Sequence, residues 1–157
     1  MLIRPVEAAD APLLATAFER LGNTSRASRF LTAKPCLSAQ ELRALTDVDH
    51  YDHEALGALD TRDGRLLGVA RYIRHAADPT SAEVAITVAD EWQGRGLGGE
   101  LIARLSRRAR EDGIDRFTAL VAPGNLAVAR LLRGSGADVN VTTRDRYSIG
   151  YEIALAD

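Results

Sequence analysis

Between Val88 and Leu105 the chain reads VADEWQGRGLGGELIARL, with glycines at 94, 96, 98 and 99 just before a segment whose apolar residues recur at helical spacing. A helix N-terminus presents unpaired N–H groups and the positive end of a dipole, and glycines let backbone approach a ligand closely. The chemistry of that combination is phosphate binding. Two common phosphate loops fit poorly, because GRGLGG has neither the Lys-Ser/Thr of a P-loop nor a G-x-G-x-x-G register. A pyrophosphate of another kind is expected; the rival reading, a tight strand-to-helix turn, seldom needs four glycines in six residues. Five residues before Val88, Glu83 stands in SAEVAITV, an acid inside an apolar strand that asks for a partner or a proton-transfer role.

These residues need a scaffold, and the chain supplies its pattern. MLIRPV reads as a strand, followed by Asp10 as N-cap of an apolar-periodic helix that stops at Gly22. TSRASRFL forms a short second helix, and SAQELRAL, with Ser38 and Glu41 at capping-box spacing, another to about Thr46. Two strands flank TRDGR, a hairpin turn centred on Asp-Gly, and DPTS makes a second turn into AEVAITVAD. After the glycine loop come a helix from Leu97 to Asp112 ended by Gly113, the strand RFTALVA, a helix opened by PGN, and two closing strands. The order β-α-α-β-β-β-α-β-α-β-β predicts an α/β (α+β) domain over 1–157, a mixed sheet covered by helices.

Composition excludes several classes. Apolar residues at 46% and charged residues at 27% of 157 describe a globular chain. A net charge of −2 gives no field toward nucleic acid or anionic lipid. Lys34 is the single lysine and Cys36 the single cysteine, so no internal disulfide forms. With no signal-like N-terminus and no membrane-span pattern, a cytoplasmic location is expected.

The segment Gln93-Gly94-Arg95-Gly96-Leu97-Gly98 resembles the Q/R-x-x-G-x-G/A loop of the GNAT acyltransferases, and the order of elements matches that family over nearly the whole chain. The resemblance implies a GNAT fold: a mostly antiparallel sheet of six or seven strands in which the strand ending Ile86-Thr87-Val88 splays from the next. It also implies acetyl-CoA as co-substrate. Gln93 to Gly99 would hold the pyrophosphate, Ile86, Thr87 and Val88 would bond the pantetheine arm, and Asn125 would reach the same arm. Unpaired strand amides need partners, which pantetheine supplies. An amine must be neutral to attack a thioester, and Glu83 fits the general base. Where many members carry a thiolate-protonating Tyr, this chain has Leu132, leaving Tyr72, Tyr147, Tyr151 and Cys36 as substitutes. The strongest likeness is to the acetyltransferase domains of bacterial protein-lysine acetyltransferases. A protein lysine is therefore the expected acceptor, with a small amine (polyamine, amino acid or drug) or a non-catalytic acyl-CoA sensor as alternatives; homodimerisation is left open.

Two further features carry simpler readings. DVDHYDH groups His50 and His53 with Asp47, Asp49 and Asp52, but lacks the ligands of a tetrahedral metal set; it is expected to border the acceptor site as an acidic rim. Arg104, Arg107, Arg108 and Arg110 form a solvated face on the helix after the loop.

Overall fold

A computed structural model describes residues 1–22, 36–134 and 137–155; the helix expected over 24–31, and Lys34, lie outside these. Among these residues seven strands are formed: β1 Leu2–Pro5, β2 His53–Leu59, β3 Leu66–His75, β4 Asp78–Val88, β5 Arg116–Val121, β6 Val139–Arg144 and β7 Ile149–Ala154. Among the described residues four α-helices accompany them: α1 Ala11–Arg20, α2 Ala39–Thr46, α3 Leu97–Glu111 and α4 Leu126–Gly134. All strands join one sheet in the order β1-β2-β3-β4-β5-β7-β6, antiparallel except for β4 beside β5.

The helices form where local chemistry directs them. Ser38 and Glu41 close the expected capping box at α2. Asp10 precedes α1, but its carboxylate does not cap that helix: it binds Arg4 at 2.8 and 2.7 Å and the Glu7 N–H at 2.8 Å, because a charged guanidinium is the stronger partner. In α3, Leu97, Leu101, Ile102, Leu105 and Ala109 form the buried stripe, and Gly113, at φ 80°, ends it. The second hairpin differs from expectation. Its turn falls at Ala76–Ala77, and Asp78 to Ser81 already belong to β4, where a register shift beside His75 absorbs the extra residues.

Each sheet face has its own cover. Ala82, Val84, Ile86 and Val88 of β4 pack with Leu101, Leu105 and Leu132 in the core under α3 and α4. On the opposite face Val6, Leu14, Ala55 and Val69 pack under α1 and α2. Alternation puts Glu83, Ala85 and Thr87 on this second face. Gly68 on β3 lets α3 press close, since a Cβ there would lie 3.2 Å from a Leu101 methyl and 3.1 Å from the Thr87 carbonyl.

A polar hub fixes the far end of α3. Glu54 is 2% exposed and meets His50 Nδ1 at 2.9 Å, the Ala55 N–H at 2.9 Å and Arg108 Nε at 3.6 Å. Arg108 also donates to the His50 carbonyl, and Tyr72 donates to Asp112 at 2.8 Å. A buried carboxylate with this many partners is held rather than penalised.

His53 is half-buried at 3.1 Å from an Arg71 guanidinium nitrogen. Burial first, then the Arg71 charge, holds its pKa below the usual 6.5. The unfolded chain therefore binds a proton that the folded one refuses. His53's contribution to stability is fully present above about pH 6.5 and is lost as the pH falls from there through its lower folded value. Melting temperatures from pH 8 to 5 should decline below 6.5 in the wild type and decline less in His53→Gln.

Candidate active site

The register between β4 and β5 defines the site. β4 pairs with β3 as far as Gly68↔Val88, yet with β5 only at Ser81↔Arg116, Ala82↔Phe117 and Glu83↔Thr118. Past Glu83 the ladder stops, while β5 runs on to Val121 against β7 alone. A gap therefore opens between Val84–Val88 and Ala119–Val121. The Ala89 N–H bonds the Leu67 carbonyl of β3 at 2.8 Å, so by strand alternation the peptides of Val84, Ile86 and Val88 turn away from β3 and into the gap. Thr87 turns its peptide to β3 instead, and its side chain lines an apolar cavity of about 60 Å³ beneath α1. Of the three expected strand residues, Ile86 and Val88 thus offer backbone to an arm in the gap.

The glycine loop sits at the open end of this gap. Gly94 and Gly96 adopt φ of 73° and 85°, in the left-handed region that residues with a Cβ enter at a cost. Gly96 heads α3 with no side-chain cap. The Glu100 N–H bonds the Gly96 carbonyl at 3.1 Å, which leaves the N–H groups of Leu97, Gly98 and Gly99 without an intrahelical acceptor. Gly98 is small for another reason: a Cβ there would meet a Leu131 methyl at 3.2 Å and Ile86 Cδ1 at 3.5 Å, so α3, α4 and β4 converge on it. Gln93 bonds the Val88 carbonyl through Nε2 at 3.1 Å, and Arg95 lies over the Trp92 ring at 5.3 Å. Three orphan N–H groups at a helix N-terminus, beside a strand edge that turns the Ile86 peptide and the Val88 N–H into the gap, fit a pyrophosphate joined to an amide-rich arm.

Glu83 stands at the apex, at the last paired position before the strands part. Its side chain is exposed and, among the described residues, makes no hydrogen bond or ion pair. The register places Ile73 and Thr118 on either side, and His75 Nε2 is 2.8 Å from Thr118 Oγ1. Ile73 and Leu120, both about half exposed, lie on the same face. The gap thus reaches both faces of the sheet: the glycine loop enters from the α3 side, and Glu83 faces the other.

The remaining expected residues separate. Asn125 caps α4, its Oδ1 accepting the Val128 N–H at 3.3 Å. Asn125→Ala should cost about 1 kcal/mol in denaturant unfolding, and Asn125→Ser should recover most of it. A loss of acetyl-CoA affinity that serine does not recover marks a separate contact with the cofactor arm. Leu132 is 3% exposed, inside the core under α3 and α4. Tyr72 is fully buried, its hydroxyl held by Asp112 and the Tyr51 carbonyl, and burial raises its pKa; these commitments remove it from the proton-donor candidates. Tyr147 is on the surface, and Tyr151 is buried opposite Ala119 of β5.

In the acidic segment before β2, two of the expected rim carboxylates also have structural partners. Asp49 accepts the N–H groups of Tyr51, Asp52 and His53, which lowers its pKa, and Asp52 pairs with Arg74 at 2.8 Å. These carboxylates hold a turn. Sequence reading missed Asp90, whose role depends on a contact 68 residues away at Gly22. Its only local signal is an acid just before the glycine loop.

A seven-stranded sheet parted between parallel β4 and β5, with a glycine-headed helix at the opening, defines an acyl-CoA-binding fold of the GNAT class. Residues 1–138 match the family model described as an acetyltransferase (GNAT) domain, and the chain belongs to this family of acetyl-CoA-dependent N-acyltransferases. It is similar to the acetyltransferase PA5475 of Pseudomonas aeruginosa, 32% identical over 133 residues that cover 83% of this chain and 71% of that one. It is also similar to the acetyltransferase Pat of Mycolicibacterium smegmatis, 36% identical over 96 residues, 61% of this chain but 29% of Pat. The chain thus spans under a third of Pat's length. The crystal structure of the GNAT domain of S. lividans PAT superposes with a TM-score of 0.89 at 31% identity, covering 98% of this chain and 89% of that domain.

Proposed function

We propose that the domain transfers an acetyl group from acetyl-CoA directly to a primary amine, with a protein lysine as acceptor and Glu83 as general base. The observation that carries this reading is the unpartnered, exposed carboxylate of Glu83 at the apex of the gap. Acetyl-CoA supplies an acyl carbon activated by a thiol leaving group. The Gln93–Gly99 loop holds its pyrophosphate through the N–H groups of Leu97, Gly98 and Gly99 and the dipole of α3. Ile86 and Val88 bond the arm as an added strand would, and the Val88 N–H donates to the thioester oxygen as charge builds on it.

A lysine side chain has a pKa near 10.4 and is almost wholly protonated at neutral pH. Glu83 attracts that cation to the gap and takes its proton, directly or through one water, so that the lone pair can attack. The two-faced gap supports direct attack, since donor and acceptor reach the same carbon from opposite sides of the sheet. Ile73 and Leu120 offer apolar surface to an aliphatic stem, and the open setting of Glu83 suits an amine carried on a bulky partner. A buried Leu132 leaves the sulfur without the usual tyrosine; a thiol of pKa near 8.5 departs as thiolate with little penalty.

The test is free-thiol release from acetyl-CoA across lysine-bearing proteins, polyamines and amino acids, beside calorimetric binding. Release with proteins and acetyl-lysine in their digests support the proposal. Release with small amines alone would replace the acceptor, while binding without release would favour a sensor.

A further inference from the structure

Asp90, in the one-turn 3-10 segment between β4 and the glycine loop, has each carboxylate oxygen on a different part of the molecule. Oδ2 accepts the Gly22 N–H at 3.0 Å, just past the end of α1. Oδ1 accepts from Gln93 Nε2 at 3.3 Å, and that same amide nitrogen donates to the Val88 carbonyl at 3.1 Å. Gly22, Asp90, Gln93 and Val88 therefore form a continuous hydrogen-bonded path. It runs from the helix on the Glu83 face of the sheet to the strand end that faces the gap.

The fit at Gly22 is close. A Cβ there would lie 2.8 Å from Asp90 Oδ2, so a larger residue would displace the carboxylate from its present position. Apolar packing follows the same line: Phe18 and Leu21 of the α1 end share a cavity wall with Thr87 and Ala89. Nothing in the direct-transfer mechanism uses Asp90, yet a charged acceptor bonded to two donors from distant segments ties them more firmly than neutral contacts.

We infer that Asp90 is a positioning residue that couples the acetyl-CoA loop to the α1 end, so that cofactor binding steadies the border of the acceptor site. The inference rests on the proposed acetyl-CoA site. Cofactor held by the loop and by Val88 restrains Gln93; Gln93 restrains Asp90; Asp90 holds the chain at Gly22. The acceptor, which approaches on the α1 face, then meets an ordered border and loses less freedom on binding.

Hydrogen exchange on the full chain tests this, with and without saturating acetyl-CoA. In the wild type, acetyl-CoA should slow exchange at residues 18–22. Asp90→Ala should lose that protection and raise the acceptor KM at least about tenfold, the low end of what a lost bond to a charged group costs, with a smaller change in kcat. Asp90→Asn, which keeps the shape but has one accepting oxygen, should fall between them. Gly22→Ala, which keeps the carboxylate but displaces it, should reproduce the alanine effect. Melting curves identify a variant that has merely unfolded, and Asp90→Asn then decides. Protection at 18–22 retained in folded Asp90 variants, or an unchanged acceptor KM, overturns the coupling while leaving the acetyl-CoA site intact. Failure of the wild type to bind acetyl-CoA removes the site itself and the inference with it.

Discussion

Glu83→Gln should lower kcat by about a thousandfold, within the range expected for loss of a general base, while acetyl-CoA affinity measured by calorimetry stays within a factor of about two. The split follows from geometry. Glu83 lies on the face opposite α3 and bonds no described residue, so replacing its carboxylate with an isosteric amide disturbs neither the glycine loop nor the gap-facing peptides of Ile86 and Val88. A neutral amide accepts a proton poorly and does not attract an ammonium ion. The defect should be deepest at neutral pH and shrink as the pH approaches the amine's own pKa, near 10.4 for lysine, where free base is abundant without help. A variant with wild-type kcat at pH 7 would exclude Glu83 as the base and direct attention to His75 and Thr118, its neighbours on the same face.

Gly96→Glu should weaken acetyl-CoA binding about 100-fold or more, since like charges forced together at a binding site cost several kcal/mol. Gly96 has φ of 85° and a Cβ position with no atom within 4 Å, so the added side chain projects into open space at the head of α3. The head of α3 is also where the proposed pyrophosphate site has its three orphan N–H groups. The new carboxylate would occupy it and oppose the pyrophosphate. Gly96→Ala separates strain from charge. It pays the left-handed penalty of about 1–2 kcal/mol without a negative group, so it should lower the melting temperature and weaken binding far less than glutamate does. Equal affinity in wild type and Gly96→Glu would dismiss the loop as a phosphate site.

The two variants also separate the two substrates. In the proposed mechanism Gly96 faces the donor from the α3 side and Glu83 the acceptor from the other, so Gly96→Glu should appear in the Kd for acetyl-CoA and Glu83→Gln in kcat at saturation. Under that mechanism the two meet in the gap that opens past Glu83↔Thr118.

Local patterns in the sequence determined most of the elements and pointed to half of the candidate site. Ser38 with Glu41, the left-handed glycines at 94, 96 and 113, and the apolar stripe of α3 are short-range signals, because caps, turns and helical periodicity depend on residues a few positions apart. The family likeness of the glycine loop carried the order of strands and the splay beyond what periodicity alone provides. Where local chemistry offered two outcomes, tertiary contacts chose. Arg4 drew Asp10 away from capping α1, Asp49 spent its carboxylate on a turn, and Asp112 claimed the Tyr72 hydroxyl. Only the folded sheet showed that the β4–β5 ladder ends at Glu83 and that its carboxylate is left free there, because strand register is set by the packing of both faces. Only the fold brought Gly22 to Asp90, a contact between residues 68 apart whose hydrogen bond leaves no periodic trace in the chain.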